Sequence, residues 1–308
     1  MLILDNNNLD KFNFNKTAVA LGSFESLHAG HMKIIENTVK CARENNLKSV
    51  ITIFKSPVLK NRTSVCETLD ERLSIIEKAG ADTVVIFDFN EKFKTLTYTE
   101  FFEKYLLKIF KAAYIFTGFN YHFGYQAKGN TENLLSLCQQ NNIVLTIEEP
   151  VIISQIVSST YIHELIKKGD VENLKKALLR PYSITGKVKK GREIGRQMGF
   201  PTANIDFPEN KAIIKDGVYF GIAETEYGNF KSIINVGNQP TVTNTYTPRV
   251  EAYILNFENN LYDTLVKLNF LKKLRDIKKF SNIDELKCQL EADKKEAEQL
   301  IIDFKINI

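Results

Sequence analysis

The hydrophobic pattern of this chain changes kind near Arg180-Pro181, and that change limits the fold more than any other feature. From Thr17 to Glu149, short apolar runs alternate with amphipathic helical segments. The runs are Thr17-Gly22, Lys48-Phe54, Asp82-Phe89, Ala112-Phe119 and Ile143-Glu149, near-continuously apolar as strands covered on both faces should be. Thr68-Leu-Asp-Glu71 and Thr97-Tyr-Thr-Glu100 are capping boxes, in which the Thr hydroxyl and the Glu carboxylate satisfy orphan N–H groups at a helix start. Gly80 is expected as the C-cap of the first of these helices. The order predicts an N-terminal α/β domain with a doubly wound parallel sheet and right-handed crossovers.

After Leu179, alternating stretches recur at Tyr182-Val188, Gly217-Glu224, Lys231-Val236, Val250-Phe257 and Leu265-Leu271, which predicts a small antiparallel β-barrel. Two short helices parted by Gly169-Asp170 fill 158–179. Ser281-Asn-Ile-Asp284 reads as a capping box before a closing helix to about Phe304, with its Leu and Ile positions on the barrel and its Lys and Glu in solvent. The 308 residues are enough for two ordinary cores. The expected domains are 1–180 and 181–308.

A net charge of +4 attracts phosphorylated small molecules as easily as nucleic acid and selects no partner. Cys41, Cys66, Cys138 and Cys288 are far apart, so neither a zinc site nor a disulfide framework is indicated. Only Met1-Leu-Ile-Leu precedes Asp5, too short for a signal segment, and no apolar run reaches the length of a membrane span. A cytoplasmic protein is expected.

The residues 191–204 carry the strongest chemical signal of the second half: Gly191, Gly195 and Gly199 stand four apart, and the run ends in Pro201-Thr-Ala-Asn204. Glycines let backbone N–H groups approach a bulky anion, and Lys189, Lys190, Arg192 and Arg196 add positive charge. If the segment after Pro201 is extended, Thr202 and Asn204 present oxygen donors on one face, of the hard kind that suits Mg2+ on substrate phosphates. No Gly-Lys-Ser/Thr follows, so this is not a Walker A loop. A Gly-rich turn with solvated charges is the competing reading.

In the first half, Leu21-Gly-Ser-Phe-Glu-Ser-Leu-His-Ala-Gly-His31 lies between the first of these strands and a helix through about Arg43. A site there opens at the carboxyl edge of the sheet and at a helix N-terminus, where phosphate is favoured. His28 and His31, three apart on the first turn, can point the same way, and Gly30 leaves room for a phosphate. Imidazoles can donate to oxygens that gain charge as a nucleotidyl group passes between phosphates.

With His28-Ala-Gly-His31, Gly191–Asn204, Asn235-Val-Gly-Asn-Gln-Pro-Thr241, Val250-Glu251, Leu274-Arg275 and Lys279-Phe280 in view, the chain resembles the prokaryotic-type FAD synthases over nearly its full length. These join an H-x-G-H nucleotidyltransferase domain to a riboflavin kinase barrel. The resemblance implies phosphorylation of riboflavin to FMN, then adenylylation of FMN to FAD, with ATP as co-substrate and Mg2+ as cofactor. It implies His28 and His31 as catalytic contacts to ATP phosphates, and Gly22, Phe24, Gly30, Ser159, Thr160, Gly191, Gly195 and Gly199 as the ATP and phosphate side. It assigns Thr202 and Asn204 to the metal, Glu251 to the base on the ribityl hydroxyl, and Asn120 and Arg275 to the flavin. Asn120 lies in Gly118-Phe-Asn-Tyr-His-Phe-Gly124, which resembles a family loop of the form G-x-(D/N)-(F/Y)-x-F-G. Val157-Ser-Ser-Thr160 resembles I-S-S-T, and as plain chemistry it is also an N-cap. From sequence alone Glu251 can point into the barrel or out to solvent.

The chain departs from the family pattern at three places. Phe24-Glu25-Ser26 stands where F-D-G is usual, Tyr161-Ile-His163 where R-I-R follows I-S-S-T, and Ile277 where Glu is common. Two arginines are thus absent beside the first site, and Lys128 is the nearby cation that could replace some of their charge. Three readings follow: a bifunctional enzyme, a riboflavin kinase with a weakened or inactive adenylyltransferase, or a flavin- or nucleic-acid-binding protein using Lys187–Arg196 as contact surface. The first implies only the small molecules riboflavin, FMN, FAD and ATP as partners, with no nucleic acid, membrane or obligatory protein partner.

Overall fold

The computed structural model describes residues 1–5, 8–9, 12–55, 64–191, 195, 198–206, 208, 210–239 and 247–301. The chain divides into two compact units, Met1–Ser159 and Thr160–Ile308.

The first unit holds a six-stranded, all-parallel sheet: β1 (Leu2–Asp5), β2 (Thr17–Leu21), β3 (Lys48–Phe54), β4 (Thr83–Phe87), β5 (Ala112–Gly118) and β6 (Val144–Glu148), in the order β1-β4-β3-β2-β5-β6. Strand β2 shows why both faces must be covered. Its Val19 and Leu21 join an aromatic-rich layer with Phe87, Phe102 and Phe110, while Ala18 and Ala20 join a second layer with Ile35, Val39, Ile51 and Val84. The small alanines face helix α1 (Ala29–Glu44), which packs on β2, β3 and β5. Ile35 is fully buried there. Ile35→Ala should cost about 2–5 kcal/mol, read as a lower urea midpoint; an unchanged midpoint would contradict this packing.

The other helices of this unit are α2 (Leu69–Lys78), α3 (Glu91–Lys94), α4 (Tyr98–Phe101), which runs on as a π-helical turn over Phe102–Ile109, and α5 (Thr131–Gln140). Both Thr-Glu capping boxes form. The C-cap of α2 is Ala79, and Gly80 takes the left-handed position just after it, at φ +83°. Strand β1 was not foreseen; its four residues are too few to show a period.

The second unit begins within α6 (Ser159–Lys168) and continues through α7 (Val171–Leu178) into a closed antiparallel barrel. Its strands are β7 (Tyr182–Lys189), β8 (Thr202–Ile205), β9 (Gly217–Thr225), β10 (Gly228–Gln239), β11 (Thr247–Ile254) and β12 (Leu265–Arg275), in the cyclic order β10-β11-β8-β7-β12-β9. Alternate residues such as Ile184, Val250, Ala252, Leu268 and Phe270 fill the interior. Outside, Val218, Phe220, Ile233 and Leu255 are covered by Ala297 and Leu300 at the end of the closing helix, α8 (Ile283–Gln299). Its cap is Asn282 rather than Ser281: the Asn282 side chain accepts from the Glu285 N–H, and Glu285 accepts from the Ser281 N–H. The expected end at Phe304 lies outside the described residues.

Candidate active sites

The first site follows from sheet topology. The chain leaves β2 toward β3 on one side, while β5 and β6 lie on the other, so the strand order reverses between β2 and β5. The carboxyl ends of two such strands bound a crevice. The segment from Gly22 to His31 leaves β2, and Gly118–Gly124 leaves β5.

Between Gly22 and α1 the backbone turns through two buried residues at positive φ, Phe24 (44°) and Leu27 (31°). Residues held there by their surroundings cluster at functional sites. A side chain at Gly22 would collide with the Phe24 ring. Phe24 in turn stands edge-on to His31, with ring centroids 5.1 Å apart. His28 caps α1: its Nδ1 accepts the His31 backbone N–H at 3.3 Å, and the two imidazoles stack at 3.7 Å. A Cβ at Gly30 would lie 3.3 Å from the His28 ring. Because Nδ1 of His28 is an acceptor, the ring proton sits on Nε2.

Burial, and secondarily the His28 ring, holds the pKa of His31 well below its ordinary 6.5. Its Nδ1 has no hydrogen-bond partner among the described residues. His31 is therefore neutral near pH 7 in the folded chain, whereas the unfolded chain takes up a proton below about pH 6.5. Stability rises with pH wherever the unfolded state binds more protons, so this group's share is intact above that value and lost as pH falls below it. The expected slope is at most about 1.4 kcal/mol per pH unit. Urea midpoints measured from pH 7 down to about 5 should show that slope flattened in His31→Gln; identical slopes would contradict it.

Ser159, remote in sequence, is brought to this loop: its Oγ lies 2.9 Å from the buried Oγ of Ser26. Thr160 is exposed, Tyr161 is buried and His163 is half-buried. Asn120 is exposed, and His122 Nδ1 lies 3.0 Å from its carbonyl oxygen. Lys128 sits over the Tyr125 ring at 5.9 Å.

Sequence reasoning missed Arg72. It is buried in α2, donating to the carbonyl oxygens of Phe54 at 2.9 Å and Lys55 at 3.2 Å, at the carboxyl end of β3. Burial lowers its pKa, and the buried carboxylates of Glu67 and Glu25 act against that. Glu25 thus belongs to a buried charged cluster whose cation comes from another element, and no local pattern marks such a pairing.

The second site lies on the outside of the barrel. Val250, Ala252 and Ile254 occupy the interior, so Glu251 points outward, though it is largely covered. Across the β11–β8 ladder Glu251 stands opposite Asn204, and Tyr253 opposite Thr202. Opposed residues share a face, so Thr202, Asn204, Glu251 and Tyr253 all project to the same side. Gly191 abuts the Asn204 amide so closely that a Cβ would come within 2.2 Å of Nδ2. A Cβ at Gly195 would come within 2.3 Å of the Phe200 carbonyl oxygen, and the Phe200 ring meets Tyr253 at 5.3 Å. Gly199 takes φ +83°. Gly191 and Gly195 therefore serve close packing against Asn204 and Phe200, whereas Gly199 serves a left-handed backbone with open space around it. Arg192 and Arg196 lie outside the described residues, as do Pro240 and Thr241.

Lys189 pairs with Asp206 at 2.8 Å. Arg249, which sequence reasoning passed over, donates to Asn204 and pairs with Glu251. Arg275 is engaged in a bidentate pair with buried Asp293 of α8, at 2.7–3.1 Å, and its guanidinium lies 6.0 Å from the Phe280 ring centroid. In this arrangement it anchors the closing helix to β12.

A family model for FAD synthetase matches residues 10–161, and one for riboflavin kinase matches residues 178–301. A bifunctional riboflavin kinase/FMN adenylyltransferase of Buchnera aphidicola is 31% identical over 95% of this chain and 96% of its own. The protein of the same description from Bacillus subtilis is 29% identical over 92% of each chain. A solved structure described as a macrolide-efflux protein from Streptococcus pneumoniae superposes with TM-score 0.89 at 28% identity, covering 98% of this chain and all of that one. Among the described residues, no helix here is long and apolar enough to cross a membrane. With 31% identity to a curated relative sustained over 95% of its length, the chain belongs to the family of bifunctional riboflavin kinases/FMN adenylyltransferases.

Proposed function

We propose that this chain phosphorylates riboflavin to FMN with one ATP and then transfers the adenylyl group of a second ATP to FMN, giving FAD. The observation that carries the reading is the presence in one chain of a stacked His28–His31 pair at a helix start and, separately, of Glu251 opposite Asn204, whose amide lies against Gly191. Adenylyl transfer is assigned to residues 1–180 and kinase chemistry to 181–308, with α7, at the end of the first range, packed on the barrel strands β7 and β12.

In the kinase step Glu251 takes the proton of the ribityl hydroxyl as its oxygen attacks the γ-phosphorus, and ADP leaves. Thr202 and Asn204 offer neutral oxygen donors on one face beside a carboxylate. Among the described residues no three His, Cys, Asp or Glu side chains cluster as a metal site. That sparse donor set fits Mg2+ that arrives on ATP and keeps several waters. Bound there, Mg2+ would neutralise charge on the phosphate oxygens.

In the adenylyl step the nucleophile is the FMN phosphate, already anionic near pH 7, so the site needs hydrogen-bond donors rather than a base. His28 offers Nε2–H, and the neutral His31 extends the same stacked surface. Flavin contacts are assigned to Asn120 in the first half and to Arg275 in the second, whose donors are engaged by Asp293 and Asp276 and which would meet the flavin by its planar face; phosphate contacts are assigned to Ser159 and Thr160.

Isotopic labelling tests the reading. Label from γ-labelled ATP should enter FMN, and label from α-labelled ATP should enter FAD. FMN labelling without FAD labelling would leave a kinase alone, and no labelled flavin would remove both assignments.

A further inference from the structure

Arg249 stands two residues before Glu251 on β11, so both side chains leave the outer face of the barrel. Its partner across the β10 ladder is Gly237, where an added Cβ would find nothing within 4 Å. The residue opposite therefore offers no side chain to direct the guanidinium. Its direction comes from two polar contacts: Nη2 pairs with Glu251 Oε1 at 2.5 Å, and Nη2 and Nε reach Asn204 Oδ1 at 3.2 and 3.4 Å. One planar fork thus touches both the carboxylate assigned as base and the amide oxygen assigned to the metal.

We infer that Arg249 is a positioning residue for phosphoryl transfer, aiming Glu251 and fixing which end of the Asn204 amide faces the reaction. The inference rests on the kinase reading of Glu251 and Asn204. A guanidinium has donors and no acceptor, so only Oδ1 of the amide can face it, and Nδ2 is turned to Gly191. Without that fork the two ends of the amide become close alternatives, and the carboxylate loses its lateral restraint. Lysine carries the charge but not the planar pair of donors, so it can hold Glu251 or Asn204 in place but not both equally well. Arg249 has no sequence motif of its own. It becomes visible only once β8 and β11 are paired.

The test uses the full chain with Arg249→Met and Arg249→Lys, beside Glu251→Gln. FAD formation from supplied FMN serves as a control for folding and loading of the protein. In Arg249→Met, kcat for FMN formation should fall about 10- to 100-fold, the order expected from misplacing reacting groups by about 1 Å, with the riboflavin KM nearly constant. Arg249→Lys should recover part of that loss. Calorimetry supplies a readout apart from turnover: Mg2+-ADP should bind about 5- to 10-fold more weakly to Arg249→Met, and ADP in EDTA with unchanged affinity, because the effect passes through Asn204 to the metal.

An unchanged kcat in Arg249→Met, a lysine variant no better than the methionine one, or equal weakening of ADP with and without metal would each overturn the inference. The last result would make Arg249 a direct phosphate contact. If Arg249→Met does not fold, Arg249→Lys carries the test, and wild-type kcat there overturns it. If Glu251→Gln keeps full FMN formation, the kinase reading falls. If Glu251→Gln is inactive while Arg249→Met is not impaired, only the role of Arg249 falls.

Discussion

Glu251→Gln should lower FMN formation from riboflavin by about 10²–10⁴-fold, the span of a general base, while FAD formation from supplied FMN stays near the wild-type rate. The substitution keeps size, removes the ability to take the proton, and reduces the Arg249 ion pair to a neutral hydrogen bond. Glu251 stands opposite Asn204, on the face that β8 and β11 share with Thr202. It points away from the barrel interior, so the change should leave the core packing of Val250 and Ala252 intact. Product analysis by chromatography, with separate riboflavin and FMN feeds, reads both halves. Equal loss of FMN and FAD formation would mean that the two activities do not depend on separate residues.

The reverse pattern is expected for His28→Ala combined with His31→Ala. FAD formation should fall by about 10²–10³-fold or more, since removing a single preorganised donor to a developing oxyanion already costs that much. FMN formation should persist. The two rings act as a unit, stacked at 3.7 Å with the His28 Nδ1 holding the His31 N–H, so each single variant should already show most of the double effect. Because His28 also caps α1, the double variant should lose about 0.5–2 kcal/mol of stability from the cap alone. His28→Asn, which retains a capping acceptor, separates the two effects: it should restore the cap and leave FAD formation low. High FAD formation in His28→Asn would show that only the cap mattered.

Local chemistry made most of the fold legible. Thr68 and Glu71 could be read as a helix start because both partners lie within one turn, and the structure has the bonds in place. The same local logic misplaced the start of α8 by one residue. Ser281 and Asn282 each have an acidic residue three positions on, and sequence does not say which pair closes. Strand β8 was harder: four residues after Pro201 show no period, and their strand character comes from pairing with β7 and β11. The outward direction of Glu251 depended on knowing that Val250 and Ala252 fill a closed barrel, which is a property of the whole sheet.

Site residues divided along the same line. His28, His31, Thr202 and Asn204 announce themselves by spacing, since their partners are neighbours in the chain. Arg72 and Arg249 do not. Arg72 acts on carbonyl oxygens 17 and 18 residues away, and Arg249 reaches Asn204 across 45 residues. The two arginines that the family pattern places after I-S-S-T are absent here. Arg72 puts a permanent cation at the carboxyl edge of the same sheet, paired in charge with Glu25 of the histidine loop. Ser26, where glycine is usual, ties that loop to Ser159. Glu25 and Ser26 are therefore packed into specific contacts rather than left as gaps.

One chain is expected to carry both activities in sequence. Wild-type protein incubated with riboflavin and Mg-ATP, sampled over time and resolved by chromatography, tests it most directly. FMN should rise first and then decline as FAD accumulates. A time course that ends at FMN, with no FAD at any ATP concentration, would contradict it.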